Sequence, residues 1–218
     1  FSDATGELEA MIDFHLVTKW KTAADSLLGA MRLKPKAARI LIVGAGTVAA
    51  SIREAFGAGY PGAQFTIWNR TAARAEALAA RYSDTDVADD LAAAVQAADI
   101  IVGCTMTTDP WLRGDWLRPG QHVNLIGAYR PDMREADDSA LRRARVFVDS
   151  FDTTIGHIGE IEIPLAAGTI ARDHLVADYY DLSAFAATDT DITLFKNGGG
   201  AHLDLMTCRH ILTRWQGA

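Results

Sequence analysis

Between Ala38 and Ser150 short apolar runs alternate with helix-forming stretches, and that alternation leaves few architectures open. "ARILIVG", "AQFTIWN", "DIIVGCT", "QHVNLIG" and "RVFVDS" are nearly unbroken in apolar residues, as strands buried on both faces are. A shorter strand is expected near Asp86 and Val87. Helices are expected over Thr47–Phe56, Thr71–Arg81, Asp89–Ala97 and Asp138–Ala144, with Asp89 or Asp90 as an N-cap. Buried strands joined by helices make a parallel sheet covered on both sides, so the class is α/β with a doubly wound sheet.

The flanks break this rhythm. "FSDATGELEAMID" reads as strand, turn at Asp3–Gly6 and strand, followed by a helix over Thr18–Met31. An isolated hairpin is marginal in water, so a further part of the protein is expected to precede it. After Ser150, "FDTTIGHIGEIEIPLAAG" reads as irregular and a helix is expected over His174–Phe185. "DITLFKNGGG" is a strand running into three glycines, and Ala201–Trp215 is a last amphipathic helix. The expected layout is a dinucleotide-binding domain over 36–190, with 1–35 and 191–218 contributing to a second domain.

A chain of 218 residues with a formal charge of −7 and no basic run is poorly suited to nucleic acid, which needs clustered Lys and Arg. No apolar run reaches the roughly 18 residues of a membrane span. Cys104 and Cys208 read as two reduced thiols in a cytoplasmic protein, and no Cys/His cluster has metal spacing.

The strand "ARILIVG" ends in Gly44-Ala45-Gly46-Thr47-Val48-Ala49, which fits G-x-G-x-x-A. The first glycine allows the tight turn, the second lets a pyrophosphate approach the backbone, and Ala49 lets the helix pack close to the sheet. The free N–H groups of the first helical turn face the phosphates. The second strand selects the cofactor. An NAD site usually ends this strand in Asp or Glu, whereas here Asn69, Arg70 and Thr71 follow it, with Arg74 one turn on. A 2′-phosphate pairs with Arg70 and is not repelled, so NADP(H) is expected, with NAD(H) the alternative.

With these motifs in view, the chain resembles the ornithine cyclodeaminase/mu-crystallin family. The resemblance rests on "DATGELEAMID", "TKWKTAADS", "VGAGTVA", "IWNRT", "ADIIVGCTMTTDP", "HVNLIGAYRPDMRE", "VFVDS", "GEI" and "KNGGGAHLDL", in that order. It implies a Rossmann-type nucleotide domain, part of an α+β substrate and dimerisation domain, and a homodimer. It also implies a nicotinamide ring near Thr105, Met106 and Ile126, at the carboxyl ends of later strands.

Two departures distinguish branches of the family. The family's R-T-A-A, whose Arg binds a substrate carboxylate, appears as Lys21-Thr22-Ala23-Ala24. Lysine offers a point charge in place of a fork. Cyclodeaminases carry a catalytic Asp two residues after the glycine matching Gly127, where this chain has Tyr129. A phenol cannot serve as a carboxylate base near neutral pH. The resemblance therefore implies NADPH-dependent reduction of a small cyclic imino acid, with Lys21 on the carboxylate and Tyr129 donating a hydrogen bond or lining the pocket. Ornithine cyclodeamination and non-catalytic NADPH binding of the crystallin type are the alternatives. Gly198, in "NGGGAHLDL", lets backbone approach a ligand or simply caps a helix. His157, Glu160, His202 and Asp204 are read as structural, solvated or interfacial.

Overall fold

A computed structural model describes residues 1–217. In chain order the elements are α1 (Phe14–Leu33), β1 (Arg39–Val43), α2 (Thr47–Gly59), β2 (Gln64–Trp68), α3 (Ala72–Ala79), β3 (Thr85–Val87), α4 (Leu91–Ala97), β4 (Ile100–Gly103) and β5 (His122–Leu125). They continue with α5 (Asp138–Arg143), β6 (Arg145–Val148), α6 (Phe151–Thr154), α7 (Gly159–Ala166), β7 (Leu175–Ala177), β8 (Thr193–Lys196) and α8 (Ala201–Gln216).

The strands form one eight-stranded sheet in the order β3-β2-β1-β4-β5-β8-β6-β7, and every pairing is parallel. Chain direction across the sheet reverses between β1 and β4, and the crevice at their carboxyl ends is where such folds hold ligands. Burial follows the composition. Ile40 to Val43, Ile100 to Val102 and Val123 are at most 1% exposed, as strands covered on both faces require.

Helix starts follow local chemistry. The Asp13 carboxylate accepts from the N–H groups of His15 (2.7 Å) and Leu16 (3.2 Å), so α1 begins before Thr18. Asp90, one of the two expected caps, accepts from Ala93 N–H at 3.1 Å. α1 packs against α2, β5 and β8. Glycines set its approach: a Cβ on Gly29 would lie 2.7 Å from the Phe195 ring, and one on Gly59 would lie 2.5 Å from Leu27.

Four expectations need correction. The first residues turn at Asp3–Thr5 with Ser2 N–H bonded to Glu7 O (2.8 Å), yet no strand extends from that pair. "FDTTIGHIGEIEIPLAAG" is mostly helical, forming α6 and α7. The helix expected over His174–Phe185 is instead a 3₁₀ turn, the strand β7 and a second 3₁₀ segment, Tyr179–Ala184. Tyr179 stacks on Phe185 (5.3 Å between centroids), lies 5.4 Å from Phe195 and donates to Asp25 O at 2.8 Å, which holds the segment out of α-geometry. Finally, β8 lies between β5 and β6, so the sheet extends past the boundary expected at residue 190.

Candidate active site

The glycine turn lies at the reversal point of the sheet. Gly44 has φ +114°, and a Cβ there would come 3.0 Å from Cys104 O, so the turn needs glycine. Gly46 is different: it is exposed, its φ is −93°, and a Cβ on it would meet nothing within 4 Å. α2 begins immediately after, with no side chain capping it. Thr47 and Val48 therefore open a helix whose first N–H groups point into free space beside a bare glycine, which fits a pyrophosphate. Ala45 and Val48 pack on the core beneath.

At the end of β2, Asn69 Nδ2 donates to Thr71 O at 2.9 Å and so shapes the turn. Arg70, Thr71 and Arg74 are exposed. Among the described residues neither arginine has an ion-pair partner. No carboxylate stands at this strand end, and two uncommitted cations fit a phosphate on the ribose.

The ends of β4 and β5 meet at Thr105 and Gly127, so close that a Cβ on Gly127 would be 1.9 Å from Thr105 O. Met106 is 74% exposed there and Ile126 is half-buried. A residue the sequence reading passed over joins these ends. Glu135 is fully buried and accepts from Thr105 N–H (3.0 Å), Thr105 Oγ1 (2.7 Å), Gly127 N–H (2.6 Å) and Ala128 N–H (3.4 Å). Glu160, also fully buried, accepts from the N–H groups of Glu135 (2.6 Å) and Ala136 (3.1 Å). Burial pushes the Glu160 carboxyl up to about 7, with Glu135 reinforcing the shift and Lys196 opposing it.

A cavity of about 550 Å³ opens between α1, α8 and the Tyr179–Ala184 segment, lined by Trp20, Lys21, Leu28, Tyr179, His202 and Met206 among others. Lys21 is half-buried, and its Nζ donates to Asp204 on α8 at 2.5 Å. At the cavity wall Asp25 bonds Asn197 through one oxygen, while its other oxygen has no partner. Burial, reinforced by Asp149, pushes the Asp25 carboxyl up to about 8. Asp149 accepts from Gly198 N–H (2.8 Å) and Gly199 N–H (2.6 Å). The Gly198 N–H is thus directed at Asp149. Lys196 is fully buried, donates to Leu125 O at 2.9 Å, and is drawn by Glu135, Glu160, Asp149 and Asp25; burial lowers its pKa.

The structure therefore gathers Gly44 to Val48 with Thr105 at one sheet end, and places Lys21, paired with Asp204 on α8, at the cavity wall. It does not bring Tyr129 to Lys21: Tyr129 is 58% exposed and absent from the cavity lining. His157 is exposed. Among the described residues, no three His, Cys, Asp or Glu side chains cluster to hold a metal, and no helix is long and apolar enough to cross a membrane.

Comparison with known proteins agrees with this layout. A sequence model of the ornithine cyclodeaminase/mu-crystallin family matches residues 1–218. The Delta(1)-pyrroline-2-carboxylate reductase of Paracoccus denitrificans is 48% identical over 221 residues, a match covering 97% of this chain and 70% of that one. Ketimine reductase mu-crystallin of Mus musculus is 34% identical, over 99% of this chain and 68% of its own. The structure of the Thermococcus litoralis Delta(1)-pyrroline-2-carboxylate reductase, solved with NADH and L-proline, superposes with a TM-score of 0.88 at 25% identity, covering 95% of this chain and 67% of that one. With its sheet order, glycine turn and a family match over residues 1–218 in agreement, the chain belongs to the ornithine cyclodeaminase/mu-crystallin family.

Proposed function

We propose that the protein reduces a small cyclic imino acid, Δ1-pyrroline-2-carboxylate or its six-membered homologue, with NADPH as the reductant. The chain is an oxidoreductase acting on carbon–nitrogen bonds, like the pyrroline-carboxylate and ketimine reductases it matches. The observation that carries the substrate class is the 48% identity to a reductase of that name. The cavity supports it: the lining is largely apolar, Lys21 is its one lysine or arginine among the described residues, and a small ring bearing one carboxylate suits such a space.

The chain's own contribution is placement and charge. Asp204 takes one of the three Nζ donors of Lys21 and leaves two for a carboxylate. Gly46 and the start of α2 receive the pyrophosphate, and Arg70 with Arg74 receives the 2′-phosphate, with Asn69 and Thr71 shaping that turn. Thr105, Met106 and Ile126 border the nicotinamide. Reduced nicotinamide, when bound, supplies the hydride for the imine carbon. Tyr129, standing outside the cavity, is given no proton-transfer role. Exposed apolar side chains on α1 and α8, such as Phe14, Trp20, Leu205 and Trp215, support a homodimer, which light scattering tests. Two free thiols support a cytoplasmic location, which fractionation tests.

The test is NADPH absorbance with each cyclic imine and then with ornithine. The expected result is NADPH loss with an imine and none with ornithine. Ammonia release from ornithine without net cofactor use would instead identify a cyclodeaminase, and tight NADPH binding without turnover a crystallin-type binder.

A further inference from the structure

The parallel ladder between β4 and β5 ends at Ile126 N–H bonded to Gly103 O, at 3.0 Å. Beyond it, the N–H groups of Thr105, Gly127 and Ala128 have no rung to join. Each needs an acceptor, because a buried backbone donor without a partner is strongly disfavoured. The Glu135 side chain supplies it. One oxygen accepts from Thr105 and the other from Gly127 and Ala128, so a single carboxylate bridges the two strand ends where hydrogen bonding of the sheet stops.

The surroundings are shaped for this bridge. A Cβ on Gly103 would lie 2.7 Å from Glu135 Oε1, so glycine at the end of β4 leaves the carboxylate room. Trp111 Nε1 donates to Thr105 Oγ1 at 2.8 Å, which directs the Thr105 hydroxyl proton towards Glu135. Glu160 holds the backbone of Glu135 and Ala136 from behind, and Lys196 provides a buried counter-charge. Glu135 is itself fully buried, and its side-chain oxygens all face strand-end donors.

We propose that Glu135 is a positioning residue for hydride transfer: by joining Thr105 to Gly127 and Ala128 it fixes the floor on which the nicotinamide ring rests. The proposal rests on the reading that the nicotinamide lies over these strand ends. Glu135 acts through the loops and touches no reacting atom. Its contribution falls on the nicotinamide half of the cofactor and leaves the adenosine half, held by the glycine turn and Arg70, unaffected.

The experiment uses Glu135→Gln and Thr105→Val, with Thr105→Ser as the conservative control. Glutamine keeps the volume but presents an NH₂ to one set of N–H donors. Valine removes only the hydroxyl, and serine restores it. Three quantities are read: affinity for NADPH, affinity for 2′-phospho-ADP-ribose, which lacks the nicotinamide, and the single-turnover rate of hydride transfer. If NADH proves the tighter ligand, ADP-ribose replaces the phosphorylated fragment.

In E135Q and T105V, fragment affinity is expected to stay within about twofold of the parent, as for separate sites. NADPH loses its advantage over the fragment, and E135Q slows hydride transfer roughly 100-fold, the scale of a small misplacement of reacting groups. T105S recovers the parental values. Parallel loss of NADPH and fragment affinity would reduce Glu135 to a general structural role and overturn the proposal, as would unchanged hydride transfer in both variants. If E135Q fails to fold, Glu135→Asp, which keeps the carboxylate but shortens its reach to the strand ends, is read in its place with the same expected pattern. If the parent protein reduces no cyclic imine, the functional reading fails, and the difference between NADPH and fragment affinities still decides the role of Glu135.

Discussion

Replacing Arg70 by alanine removes a guanidinium that is exposed and has no ion-pair partner among the described residues, so the fold should hardly register the loss. Exposed substitutions of this kind usually change stability by less than about 0.5 kcal/mol. The effect on cofactor choice should be larger. Two unit charges about 4 Å apart attract by about 1 kcal/mol in water. A phosphate monoester carries roughly −1.5 to −2 charges near neutral pH, so the pair is worth about 2 kcal/mol at this exposed site. That converts to a rise of roughly 30-fold in the NADPH dissociation constant, with NADH affinity unchanged. Arg74, one turn along α3, retains part of the attraction, so the R70A/R74A double variant should lose more. Dinucleotide-dependent quenching of tryptophan emission measures both constants. Raising the ionic strength to about 1 M, where the screening length is about 3 Å, should shrink the difference between parent and variant. Equal weakening of NADPH and NADH, or no change in either, would refute the assignment of Arg70 to a 2′-phosphate.

The two turn glycines should respond in opposite ways. Gly46→Ala has an ordinary φ and open space around the new methyl, so melting is unchanged while dinucleotide affinity falls about tenfold or more as the pyrophosphate's approach is blocked. Gly44→Ala, at φ +114° and 3.0 Å from Cys104 O, should destabilise the fold by about 1–3 kcal/mol in denaturant titrations. Lys21→Met should raise the KM for the imino acid about 10- to 150-fold, the value of a hydrogen bond to a charged group, with NADPH affinity unchanged; an unaltered KM would remove Lys21 from the site. Asp25 holds its proton to about pH 8 when folded, against 3.8 normally, so its contribution to stability is complete below 3.8 and is lost as pH rises through 8. Stability should therefore fall as pH rises towards 8, and Asp25→Asn should make the fall in melting temperature from pH 6 to 8 less steep; identical slopes would exclude this origin.

Much of the sheet could be read directly from the chain. β1, β2, β4, β5 and β6 lie in runs rich in apolar residues between turn residues, and the G-x-G turn announces itself by standing between such a run and a helix. β7 escaped because three residues, Leu175 to Ala177, carry too little pattern beside the aromatic and acidic residues that follow. Glu135 and Lys196 escaped for a different reason. In "PDMRE" and "LFKN" they look like solvated charges, and only the meeting of strand ends far apart in sequence turns them inward. Periodicity reports which face of an element is apolar. It carries no information about which backbone donors a sheet leaves unpaired. Lys21 was legible as a candidate through the family's R-T-A-A position, but its partner Asp204 lies 183 residues away and required the fold.

The place of β8 bears on how the molecule is made. β8, which follows the other seven strands in the sequence, is seated within the sheet with β5 on one side and β6 on the other. During synthesis β6 and β7 are available before the strand that links them to the rest of the sheet. Until Thr193–Lys196 leaves the ribosome, two partial sheets each expose an unpaired edge, the kind of surface that invites wrong partners. Closing that gap also brings Lys196 into the interior among its carboxylates. Emergence of Thr193–Lys196, more than the completion of any local helix, is therefore the event that commits this fold.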